Sequence, residues 1–211
     1  MLVLAGLVIF IFIFVTEAAF QRIGFTRLQV IVILAATLLG SAVNIPLLRI
    51  KSWENIATVK EVRFFWITYR IPTIAPQQVS TLVAVNLGGA IIPVFVSVYL
   101  LSQHASLLPQ SLLGILITSI IVHLVARKVP GVGIVTPAFI PPIAAALTAY
   151  FISPNSPTVV AYVAGTLGTL IGADLTNLRG LGKLGAPVAS IGGAGTFDGV
   201  FLSGILAVLL I

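Results

Sequence analysis

The chain has 211 residues, 59% of them hydrophobic and only 8% charged, with a formal net charge of +6 and a mean hydropathy of +1.19. A soluble core of this size needs far less apolar surface, and the Lys and Arg residues sit at the ends of apolar blocks without forming a basic face, which argues against a nucleic-acid partner. The absence of Cys excludes disulfides and thiolate chemistry. With only His104 and His123, and no carboxylate at ligand-like spacing, neither a metal site nor a cofactor is expected.

Apolar blocks separated by charged or Pro-containing breaks are how helices crossing about 30 Å of hydrocarbon read in sequence. Seven spans are predicted: Leu2 to Phe20, Leu28 to Leu48, Val79 to Leu101, Leu107 to Ala126, Val132 to Ile152, Val159 to Leu178 and Val188 to Ile211. The expected fold is thus an all-α polytopic membrane protein of one transmembrane domain. The first block lacks the basic n-region and small-residue cleavage site of a secretory signal, so it is counted as a span.

Charge tests the count. Arg49, Lys51, Lys60, Arg63, Arg70, Arg127, Lys128, Arg179 and Lys183 fall on one side of a seven-span chain, and Arg22 and Arg27 on the other. The positive-inside rule makes the first side cytoplasmic, with the N-terminus inside and the C-terminus outside, in the plasma membrane of a prokaryote. Membrane lipids are then the expected surroundings; oligomeric state is left open.

The loop from Ile50 to Gln78 is rich in β-branched and aromatic residues, Trp53, Phe64, Phe65, Trp66 and Tyr69 among them, and predicts a short β-hairpin or strand at the interface. It reads as an interfacial anchor, or as an edge strand able to capture an extended peptide. Further breaks come at Asn44 with Pro46, at Asn86 to Pro93, and at Pro130 to Pro142, where four Pro and two Gly in thirteen residues predict a broken or re-entrant helix.

Both Asp residues of the chain, Asp174 and Asp198, lie inside predicted spans. A charge at the centre of a membrane helix costs about 2.5 to 3.5 kcal/mol on insertion scales, so each should face protein or water and have a function. The two spans are joined by the short loop Gly180 to Pro187, forming a hairpin over residues 157–211. A turn near Gly185 would set the two Asp at similar depth, about 18 Å from the turn. Gly192, Gly193, Gly195 and Gly199 surround Asp198 and permit close helix approach or local unwinding. Two carboxyl groups held close can divide general acid and general base work between them, with no metal.

The segment from Gly193 to Gly204 resembles the second motif of the GxGD intramembrane aspartyl proteases, the presenilin, signal-peptide-peptidase and prepilin-peptidase group. It differs in having Phe197 directly before Asp198. The resemblance covers roughly the last fifty residues. It implies that Asp174 and Asp198 are catalytic, that Gly195 and Gly199 admit a substrate backbone, and that Pro137, Ala138 and Phe139 supply a substrate-binding element. The substrate implied is a transmembrane peptide. The whole chain also resembles a group of prokaryotic membrane proteins of unknown function. Two other classes fit the same residues: a proton-coupled transporter with a broken-helix site, and an accessory subunit whose Asp residues pair with Arg or Lys.

Overall fold

The computed structural model describes residues 2–129, 133–178, 187–193 and 198–211. Each predicted span contains a helix, but most are shorter than expected. Helix α1 runs Leu2–Ile23, α2 Arg27–Gly40, α3 Ile92–Gln103, α4 Leu108–Val125, α5 Ile140–Ile152, α6 Pro157–Thr169 and α7 Gly199–Leu209. Part of what the helices lose forms strands. A long antiparallel hairpin is built from β1 (Asn44–Phe64) and β2 (Ile67–Asn86), a small ribbon from β3 (Arg127–Val129) and β4 (Gly133–Val135), and β5 covers Val188–Ile191.

The protein is therefore not an all-α bundle of seven transmembrane helices. Among the described residues two helical stretches, Ala105–Val125 and Pro157–Leu178, are long and apolar enough to cross a membrane; Arg27–Gly40, Leu87–Gln103, Ile140–Ile152 and Gly199–Leu209 are apolar but shorter. The error has a physical cause. Apolar content over a short run does not distinguish a helix from a strand, and the ends of three predicted spans, residues 44–48, 79–86 and 188–191, are strands. The hairpin is also far longer than the short interfacial one expected. It consumes the end of the second predicted span and the start of the third.

Capping explains where the second helix starts. Thr26 accepts from the backbone N–H of Gln29, whose side chain returns to the N–H of Thr26 at 2.8 Å. This reciprocal cap fixes α2 at Arg27. Arg27 is held by Glu17 of α1 at 3.0 Å. Helices α3, α4, α5 and α6 each carry Pro in the first turn, where its missing N–H costs nothing.

The core is centred on α6, which α4, α5 and α7 flank. Val160, Ala161, Tyr162, Val163 and Ala164 are all fully buried. Phe20 of α1 closes one side, its ring 5.7 Å from Tyr162 and 6.4 Å from Phe201 of α7. Small residues set the helix spacing. Gly165 faces the Ser203 backbone of α7, Gly168 faces Thr118 of α4, and a Cβ on Gly172 would collide with the Ser119 carbonyl. Gly172→Ala should therefore lose about 1–3 kcal/mol of stability by overpacking. Gly6→Ala, where nothing lies within 4 Å, should be neutral or slightly stabilising. Denaturant titration of both variants in detergent would check the contrast.

Candidate functional site

The two Asp residues meet at a glycine turn. Helix α6 does not end at Thr169; it widens into a π turn over Leu170–Asp174, then continues as one turn of tighter helix to Leu178. Wide turns of this kind re-aim the side chains at their ends. Here the Asp174 carboxylate accepts a hydrogen bond from the backbone N–H of Gly192 at 2.7 Å. Gly192 and Gly193 both adopt φ of +79°, the left-handed region open to glycine.

Asp198 approaches the same turn from the other side. It is the residue preceding α7, with extended backbone, and its carboxyl makes no capping bond to that helix. It lies against the α carbon of Gly193 instead, where any Cβ would collide with it. The structure thus brings the two predicted catalytic residues to one turn.

What holds the turn is the π turn Leu87–Ile91 between β2 and α3. The backbone of Gly88 presses on the end of α2, where a Cβ would strike the Thr37 carbonyl. Gly89 presses the other way, against the Gly192 carbonyl. The double glycine is thus clasped between a helix end and the turn that serves Asp174. Strand β5 brings the turn there: Leu82 to Val85 of β2 pair in parallel with Val188 to Ile191.

A buried amide organises this wall. Asn86 is fully buried. Its Oδ1 accepts from the Gly89 N–H at 2.7 Å, while its Nδ2 donates to the Ser41 carbonyl at 2.8 Å and to Asn44 Oδ1 at 3.1 Å. The hydroxyl of Ser190 donates to the same Asn44 oxygen at 2.6 Å. Asn44 and Asn86 are directly paired across the root of the hairpin. The sequence marked both as breaks in apolar segments but did not indicate that they share one network. Ser190 carried no signal at all. On the far side of Asp174, Thr176 donates to the Gly172 carbonyl at 2.8 Å and meets His123 Nδ1 of α4 at 2.8 Å. Asn177 donates to the Ala173 carbonyl at 2.9 Å.

The remaining expected site residues are placed differently. Gly195 lies outside the described residues, as does the loop up to Ala186 with its expected turn near Gly185. Gly199 is exposed at the start of α7, with open space where a side chain would go. Pro137, Ala138 and Phe139 are exposed just before α5. Pro137 lines a cleft of about 500 Å³ with the end of α4 and the β3–β4 ribbon. The ribbon itself touches the site's apolar backing, since Ile134 packs against the buried cluster that includes Leu170, Val83 and Ile191. Among the described residues no cluster of three His, Asp or Glu side chains could hold a metal ion.

Residues 38–210 match the family described as "Protein of unknown function (DUF1614)". No curated protein and no solved structure matches the chain. Both site Asp residues and the whole Asn86 network fall inside the matched segment. Asn86→Ala would strand the Gly89 N–H and leave Asn44 and Ser41 short of a donor. A loss of about 2 kcal/mol or more is expected, because buried groups left unpaired bear the full desolvation cost. Denaturant unfolding should reveal it, with Ser190→Ala showing a smaller loss.

Proposed function

We propose that this chain, which belongs to the DUF1614 family, hydrolyses peptide bonds of membrane-embedded substrates through Asp174 and Asp198. The observation that carries this reading is the convergence of the two carboxyl groups on the Gly192–Gly193 turn. Two such groups in one site share a proton more readily than they carry two charges. The charged member takes a proton from water as the oxygen attacks the peptide carbonyl carbon. The protonated member donates to the carbonyl oxygen, giving a tetrahedral diol; the first member, now carrying the water proton, passes it to the amine as the C–N bond breaks, and a diol hydroxyl returns a proton to the second. The chain's own contribution is positioning. Gly192 holds Asp174 by a backbone hydrogen bond, and Gly193 leaves Asp198 room to approach.

The surroundings fit a membrane enzyme. The stretch Pro157–Leu178 that carries Asp174 is long and apolar enough to cross a bilayer. With the basic hairpin on the cytoplasmic side of a prokaryotic plasma membrane, by the positive-inside rule, the Asp pair would work at one end of a membrane helix.

Asp174→Asn and Asp198→Asn should each lower cleavage of a membrane-tethered reporter by at least about 100-fold, the scale of losing a general acid or base. Each variant should elute and unfold like the parent. Retained cleavage in both would refute the reading. Substrate-driven proton flux in liposomes, abolished by Asp174→Asn in a protein that cleaves nothing, would replace it with a transporter.

A further inference from the structure

The β1–β2 hairpin is paired with β5 only at its root, over Leu82 to Val85. Beyond that point, among the described residues, the two strands pair only with each other up to the turn at Phe65 and Trp66, both at positive φ. At about 3.3 Å per residue the free part reaches on the order of 50 Å from the helices. A two-stranded ribbon of this kind is marginally stable in water. Something should cover it.

Register sorts its side chains into two faces. Strand residues alternate, and Arg49 pairs with Leu82, Glu61 with Arg70 and Val62 with Tyr69. One face therefore carries Arg49, Lys51, Arg63 and Arg70, with the Glu61–Arg70 ion pair at 3.1 Å; Trp53, Val59 and Ile74 interrupt it. The other carries Val62, Ile67, Tyr69 and Ile71, all exposed, with Lys60 as its cation. The same face reaches the core at the root through Ile50 and Val83, with the polar Ser52, Thr58, Thr73 and Gln77 between them and the apolar patch near the tip. At the tip Trp66 is 90% exposed. From residue 44 to 86 there are five Lys and Arg against Glu54 and Glu61, an excess of three positive charges.

We infer that this arm lies on an anionic bilayer surface, its apolar face in the headgroup boundary and its cationic face at the level of the phosphates. The arrangement is the period-two counterpart of an interfacial amphipathic helix. Lys60 selects lipid over a second copy of the chain: its stem can lie on acyl chains while its ammonium reaches a phosphate, whereas face-to-face pairing of two arms would bury it. Strand addition is disfavoured on the β2 side. The ladder to β1 runs unbroken through Pro72 and Pro76, so the N–H groups these prolines lack are missing from the outer edge. The inference is independent of the proteolytic reading.

Both tryptophans of the chain, Trp53 and Trp66, lie in the arm, so intrinsic fluorescence reports on it alone. The full chain carrying Trp53→Phe would be placed in nanodiscs of phosphatidylcholine with or without phosphatidylglycerol. Trp66 emission should be blue-shifted and quenched by lipids brominated near the headgroup when phosphatidylglycerol is present. Quenching should fall about twofold or more between about 0.1 M and 1 M salt, because exposed charges are screened. A Lys60→Glu, Arg63→Glu variant should show the same loss without salt. Water-like emission, open to acrylamide and indifferent to brominated lipid, would overturn the inference. So would shielded emission without lipid quenching, accompanied by arm-to-arm crosslinks, which would assign the face to a second copy.

Discussion

The constraint on which the rest depends is a line of backbone contacts that tolerate no side chain. The end of α2 meets Gly88, Gly89 meets Gly192, and Gly193 meets the Asp198 carboxyl. Five separate parts of the chain are brought within reach of one another along this line: a helix end, a π turn, a strand end, a glycine turn and a helix start. Backbone packed this closely must have its polar groups satisfied locally. Asn86 does so for Gly89, and Asp174 for Gly192. An acidic side chain that looks anomalous in an apolar segment is here also a structural acceptor.

Two π turns adjoin this line. Each lies where an apolar helix meets the site, one leading into α3 and the other continuing from α6. A regular helix would direct its last side chains along the established spiral; a wide turn changes that direction without a break. In the first, Gly88 and Gly89 are directed to opposite neighbours. In the second, Asp174 is directed toward β5. The site is thus built by local departures from regular helix at the ends of apolar helical segments.

Much of this was legible in the sequence, though not as a fold. Every apolar block holds a helix, because apolar content and the Pro residues of first turns are visible in one dimension. The strands at 44–48, 79–86 and 188–191 were not, since their β-branched and apolar residues satisfy either period over so short a run. Asp174 and Asp198 stood out by violating the hydrophobic pattern, and the glycines around Asp198 by their density. What could not be read was the parallel pairing of β2 with β5, which joins segments far apart in the chain. Without that pairing, Ser190 has no tie to the Asn44–Asn86 pair. With it, they are one network.

The same pairing orders the assembly of the protein. The hairpin closes through neighbouring residues and needs nothing that follows Asn86. The site needs β5, which comes about a hundred residues later, and long-range pairings of this kind form slowly because loop closure precedes any gain. A nascent chain would thus have its arm complete, and helices α1 to α6 made, before β5 arrives to join Asp174 to its partner. Until then the two carboxyl groups are strangers, and any chemistry they perform together waits on a strand made about a hundred residues after the hairpin it joins.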